Sequence, residues 1–153
     1  MKINLLLIVL LFFVGCEDVT NNEQPNSQIN FTTDSEVYLQ SENIKIVIKN
    51  NLNRAIIFGL RCNQHPEISY QKKVGDGWSE KLSFWWESLK CATVLDTLDG
   101  NNKYEYEITP EIFEMNTPSA KRLDAGTYRL VLGFSAQDNN ENYLSYSNNF
   151  EIK

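Results

Sequence analysis

Histidine occurs once in these 153 residues, methionine twice and cysteine three times. One imidazole and so few thiols leave little material for acid/base or metal chemistry. Clustered cations are missing too. The 14 Lys and Arg are scattered among 20 Asp and Glu, for a net charge of −6, whereas a nucleic-acid partner requires basic residues gathered against phosphate. No apolar run reaches the roughly 20 residues that cross a bilayer. A glycine-rich phosphate loop, a nucleophile elbow, a His-rich metal motif and an internal repeat are all absent from the sequence. What is present is a 42% apolar share with 12% aromatics, over a length that suits one domain. That combination argues against both a multidomain enzyme and a disordered chain.

The N-terminus carries an address. Lys2 precedes an unbroken apolar run over residues 5–14, which stops at Gly15-Cys16 and gives way to Glu17, Asp18, Thr20 and Asn21. The run is a secretory h-region in length, and it has no polar face that a surface helix would need. Val14, Gly15 and Cys16 resemble the lipobox of bacterial lipoproteins, with Phe13 where Leu is usual. The resemblance implies a diacylglyceryl group on the Cys16 thiol and cleavage before it. Residues 1–15 are then a leader, 16–28 a polar tether containing Pro25, and 29–153 the folded domain. Each buried acyl CH₂ contributes about 0.8 kcal/mol, so two or three chains hold the domain on a membrane. Losing Lys2 makes the mature chain still more acidic, and lipid alone must offset repulsion by anionic headgroups. Glu17-Asp18 resembles the surface-export signal of some Gram-negative lipoproteins. The expected location is the bacterial envelope, at the outer membrane or cell surface in preference to the inner membrane.

With Cys16 committed to lipid, Cys62 and Cys91 remain, in an oxidising compartment where two thiols are most simply a disulfide. Closing a loop of about 30 residues stabilises a domain by roughly 3–4 kcal/mol in the chain-entropy model. The competing readings are free, reactive thiols and a zinc site of Cys62, His65 and Cys91, the latter lacking a fourth ligand and having Pro66 restraining His65. No cofactor is expected.

The folded part has a period of 2. Ile44, Ile46 and Ile48 alternate with Lys45 and Lys49; Asn50-Asn51-Leu52-Asn53-Arg54 reads as a turn, since Asn tolerates positive φ. A strand over residues 55–60 follows. Residues 67–74 alternate weakly into the turn Gly75-Asp76-Gly77 and Trp78. Tyr104, Tyr106 and Ile108 share one face; Tyr128, Leu130, Leu132 and Phe134 share another; a last strand is expected through residues 146–152, and a helical turn at residues 110–115. The pattern predicts an antiparallel β-sandwich of about seven strands. The strand pair with Asn50 and Asn51 at its corner, the Trp-containing middle, and Gly126-Thr127-Tyr128 leading into a core strand resemble two groups. These are the immunoglobulin-like domains of bacterial surface lipoproteins and the intracellular-proteinase-inhibitor-like β-sandwiches. Ala125 stands where Pro is common. The resemblance implies the immunoglobulin-like fold and a binding or structural module with no catalytic residues.

Among functional features the aromatic cluster Trp78, Phe84, Trp85, Trp86 stands out. On a strand, inward Leu82, Phe84 and Trp86 would turn Trp85 outward. Trp85 and Trp78 are thus the candidate binding residues for a protein or glycan partner, and the opposing reading packs Trp85 under a loop or beside the disulfide. Glu105 and Glu107 read as a solvated strand face, and Asp96-Thr97-Leu98 matches a short O-glycosylation pattern. The expected role is a lipid-anchored envelope binding or accessory module. The alternatives are a protease inhibitor presenting residues 75–78 and a carbohydrate-binding surface lipoprotein.

Overall fold

The structure is a computed structural model that describes residues 28–113, 119–138 and 141–153. The expected leader, Cys16 and the tether up to residue 27 lie outside the described residues; Gln28 already accepts a hydrogen bond from the Asn51 N–H (3.0 Å). The chain is all-β. The only described helix exceeding an isolated turn residue is a 3-10 turn, Trp85–Ser88, and no described helix is long and apolar enough to cross a membrane.

The isoleucine alternation makes β3 (Ile44–Asn50), which lies between β1 (Ile29–Thr33) and β10 (Lys103–Ile108) in a three-stranded antiparallel sheet. Ile44, Ile46 and Ile48 are wholly buried, which at about 25 cal/mol per Å² makes this face a main source of stability. The second sheet is larger. Its spine is β13 (Gly126–Ala136), which pairs antiparallel with β4 (Ile56–Arg61), β6 (Ile68–Val74), β14 (Asn142–Tyr146) and β15 (Phe150–Ile152). β9 (Thr93–Leu98) pairs with β4 on its other edge. Residues of both sheets form one buried core, with Phe58 of β4 edge-on to Tyr104 of β10 at 5.3 Å.

Several expectations are corrected. The described residues hold fifteen strand segments, not about seven, because several short pairs of two or three residues, such as the separate two-stranded sheet at residues 111–113 and 120–122, add to the long strands. Pairing is not wholly antiparallel: β2 (Val37–Tyr38) leaves the first sheet after β1 and runs parallel to β15. Residues 111–113 are extended, as β11 (Glu111–Phe113) paired with β12 (Ala120–Arg122), in place of a helical turn. The final stretch is two strands, β14 and β15. Val131 faces Tyr146 and Tyr128 faces Phe150, so three steps on β13 oppose four on its partner. The extra residue is absorbed at Ser147, whose hydroxyl accepts the Leu130 N–H (2.9 Å) while its own N–H donates to Leu130 O (3.0 Å).

The β3–β4 corner is built on Asn50. Its backbone does not have positive φ; its amide is what matters. The side chain is fully buried, donating to the carbonyls of Arg54 (2.8 Å), Leu98 (3.0 Å) and Asp99 (3.2 Å) and accepting the Leu52 N–H (3.0 Å). The β9–β10 turn closes on the same corner: a Cβ on Gly100 would lie 2.7–2.9 Å from backbone atoms of Leu52, Asn53 and Arg54. Asn50→Ala strands one buried donor and several carbonyls at once, and should cost about 3 kcal/mol in urea unfolding. A loss below about 1 kcal/mol would show that the corner holds without the amide.

Candidate functional site

Alternation along β13 sends Tyr128, Leu130, Leu132 and Phe134 into the core and turns Arg129, Val131, Gly133 and Ser135 to the other face, where Gly133 is exposed, Arg129 and Ser135 are half-buried and Val131 is covered. Register decides their neighbours. Gln71 of β6 stands opposite Arg129, and on β14 Tyr146 stands opposite Val131 and Leu144 opposite Gly133. The Gly75-Asp76-Gly77 turn, with Gly75 at φ 57°, folds β7 (Gly77–Trp78) back on β6 and places Trp78 beside Lys73.

These registers assemble a row across four strands. The Arg129 guanidinium lies 4.4 Å from the centre of the Trp78 ring and 4.3 Å from that of Tyr146. Its Nε donates to Gln71 Oε1 (2.9 Å), and Gln71 is in turn fixed by donating to Ser79 O (2.7 Å). Lys73 approaches the Trp78 ring at 5.3 Å and Lys72 the Tyr128 ring at 5.4 Å. Among the described residues no ion pair engages Lys72, Lys73 or Arg129. Lys72 stands opposite Tyr128 and so belongs to the other face of the sheet. In a chain of net charge −6, Arg129 and Lys73 are two cations on the outer face resting on rings without a carboxylate.

The same face has a groove of about 370 Å³. β6 pairs with β13 only as far as Leu132 and β4 only from Ser135, so neither covers Gly133 and Phe134 on that edge. Gly133 and Gly59 lie along the groove, with Ile57, Leu95 and Leu144 beside them. Leu95 is 72% exposed and Leu144 36%. Glu67 also lines it, its carboxylate over Gly59 and accepting the Thr93 hydroxyl (2.5 Å).

The two candidate tryptophans separate. Trp78 belongs to this row. Trp85 does not: the expected strand through Leu82 and Trp86 gives way to the 3-10 turn, Leu82 is 42% exposed, and Phe84 and Trp86 are buried. Trp85 is half-buried, edge-on to His65 (5.5 Å) and Trp86 (6.1 Å), with its Nε1 buried and unpartnered among the described residues. Two adjacent tryptophans escape strand alternation because a 3-10 turn rotates each residue by about 120°.

Cys62 and Cys91 are joined, their Cα atoms 5.2 Å apart. Both thiols are therefore spent, which removes the ligand pair of the zinc reading. Arg61 gathers the loop leading to Cys91, donating to Leu89 O (2.6 Å), Glu87 O (3.5 Å) and Thr93 Oγ1 (3.4 Å). His65 stacks on Trp86 at 5.4 Å, and its Nδ1 is 2.5 Å from the Tyr106 hydroxyl. Burial lowers the His65 pKa and raises that of Tyr106. With a neutral ring, the phenol donates to Nδ1 when the imidazole proton sits on Nε2 and accepts from it when the proton sits on Nδ1.

A wider depression of about 560 Å³ is lined by Asp34, Tyr38, Glu42, Lys45, Glu107 and Arg122, among others. Its groups satisfy one another. Tyr38 donates to Asp34 (2.5 Å), Asn43 to Glu107 (2.6 Å) and Arg122 to Glu42 O (2.9 Å), while Lys45 pairs with Glu105 (3.0 Å). Burial, with the Asp34 hydrogen bond, pushes the Tyr38 pKa up to about 12.

No family model matches the chain, and no curated protein matches it. Among solved structures it is similar to the alkylpurine DNA glycosylase AlkC of Pseudomonas fluorescens bound to abasic-site DNA, at 13% identity and TM-score 0.36, over 82% of this chain and 30% of that one. It is also similar to the sporulation control protein Spo0M of Bacillus subtilis, at 8% identity and TM-score 0.36, over 82% of this chain and 49% of that one. The chain thus spans under a third of the first and about half of the second. Similarity at this level carries no functional argument.

The His65 environment has a pH signature. Its folded pKa lies below the ordinary 6.5, so the fold favours the neutral ring. The stability contribution is complete above pH 6.5, falls as the unfolded chain protonates below it, and levels off under the folded pKa. Urea unfolding between pH 5 and 8 should show this loss in the wild type and a flatter profile in His65→Gln; parallel profiles would remove the assignment.

Proposed function

We propose that this chain is a lipid-anchored, immunoglobulin-like β-sandwich of the bacterial envelope, a binding module without catalytic activity that presents the outer face of its β13 sheet to a partner. The fold reading is supported by the arrangement of strands. β1–β3–β10 opposite β4, β13 and β15 follows the A–B–E and C–F–G halves of that sandwich. It is also supported by Tyr128, whose hydroxyl donates to Asp124 O (2.7 Å), four residues upstream at the start of a core strand. That is the tyrosine corner of such domains. The Gly126-x-Tyr128 match in the sequence acquires a physical reason here: the turn is pinned by the phenol.

The observation that carries the binding role is the unpaired Arg129 held between Trp78 and Tyr146 on an exposed face. A cation stacked on two rings is positioned, partly desolvated and without a carboxylate of its own among the described residues. The carbohydrate reading has less support, since Trp85 packs against His65 and Trp86 and the Trp78 ring carries Arg129 and Lys73. The inhibitor reading rests on residues 75–78, which form a tight hairpin with Trp78 drawn onto the sheet.

Anchoring rests on Val14, Gly15 and Cys16. Growth of expressing bacteria with an alkyne-tagged palmitate should label the protein and place it in the membrane fraction. Cys16→Ala should lose the label and leave the membrane. An unlabelled wild type, or a labelled Cys16→Ala, removes the lipid anchor from the reading.

A further inference from the structure

Resting on the reading of this face as a binding surface, we infer that it recognises an extended, acidic polypeptide segment. One carboxylate seats on Arg129 between Trp78 and Tyr146, and an apolar side chain four residues away fills the groove over Gly133. The charge argument comes first. Arg129 Nε is committed to Gln71, and neither Nη has a hydrogen-bond partner among the described residues. Those two donors form a planar fork, the geometry that takes a carboxylate in two parallel hydrogen bonds. The two rings lie within 4.4 Å of the guanidinium carbon and limit its contact with water, which strengthens such bonds.

The groove supplies the second contact. Its flanks are the aliphatic side chains of Ile57, Leu95 and Leu144, and a Cβ on Gly133 would meet nothing within 4 Å. The space above that glycine is therefore open. Glu67, already on Thr93, keeps a negative potential at this end, so the acidic residue of a ligand belongs at Arg129 and an uncharged one at Gly133. The order of the two contacts is fixed by that asymmetry.

Spacing names the ligand class. Arg129 and Gly133 share the outer face of β13 at a separation of four residues, about 13 Å at 3.3–3.4 Å per residue. An extended peptide laid along the strand repeats that rise, so its residues i and i+4 meet the two subsites together. A glycan fits less well, because the rings that sugars would stack on already carry cations and the groove offers aliphatic carbon.

The test uses the full chain in detergent and fluorescein-labelled ten-residue peptides in a Ser/Thr background, read by polarisation. A peptide with Glu and Leu four apart should bind about tenfold more tightly than one with the pair five apart or with Lys replacing Glu. Arg129→Gln and Gly133→Val should each weaken it by about tenfold, and Gly133→Val should leave the melting temperature unchanged because its side chain enters open space. Indifference to spacing, or to both substitutions, overturns the inference. So does Arg129-dependent binding of a uronic-acid oligosaccharide with no binding of the peptides, a result that keeps the binding-module reading. The palmitate label on Cys16 scores the anchor independently of every one of these outcomes.

Discussion

Strand β13 runs for eleven residues, and no single neighbour spans it. Every backbone group along its buried course still needs a partner. Four strands therefore share it: β15 and then β14 on one edge, β6 and then β4 on the other. Each handover has a structural cost and a consequence. Between β15 and β14 the extra residue is absorbed by Ser147, whose hydroxyl replaces a backbone acceptor for Leu130. Between β6 and β4 no strand among the described residues pairs with Gly133 or Phe134 on that edge, and the groove lies there. The row of Trp78, Arg129 and Tyr146 depends on the same spine, because it forms only when β7, β6, β13 and β14 lie side by side in these registers.

The opposing sheet and the loop after β8 (Leu82–Ser83) are fixed by other means. At one end Asn50 ties the β3–β4 crossing to the end of β9 through four hydrogen bonds from one buried amide. Cooperative networks of this sort specify a single arrangement, since any partial version strands a buried polar group. At the other end the Cys62–Cys91 bond and Arg61 hold the segment that contains Trp85 and Trp86. Trp86, stacked on Phe84 at 4.6 Å and on His65, plugs the core there, and its Nε1 donates to Pro66 O (3.3 Å).

How much of this was legible in the sequence depended on distance along the chain. Ile44, Ile46 and Ile48 announce a half-buried strand because a strand's period is local. The Gly75-Asp76-Gly77 turn follows from residue chemistry, and the pairing of Cys62 with Cys91 is what two thiols left over from an expected lipid anchor suggest. Asn50 was found for the wrong reason: a turn asparagine suggests backbone freedom, whereas its role is an amide reaching Leu98 and Asp99, 48 and 49 positions away. Trp85 misled because strand alternation was carried into a segment that is a 3-10 turn. Arg129 gave no signal at all in one dimension. Its two rings come from residues on either side, 51 positions before and 17 after, and only strand order reveals the stack. Gly133 was likewise silent, since a glycine in a strand marks a close approach as readily as an opening.

The acidity of the chain bears on how such a face could be selective. At physiological ionic strength the screening length is about 8 Å, so the net negative charge does little to an acidic segment until it is close. Near the surface carboxylates oppose it, whereas Lys73 and Arg129 on this face have no ion pair among the described residues. Affinity on this face therefore comes from short-range contact and owes little to long-range steering. A ligand that brings charge without an apolar side chain at the right interval gains the Arg129 contact alone and leaves the groove wet. One that brings apolar surface without the carboxylate leaves the guanidinium fork unfilled beneath it. Each half of the face penalises a partner that satisfies only the other, which is how two modest contacts 13 Å or so apart discriminate by spacing where neither would alone.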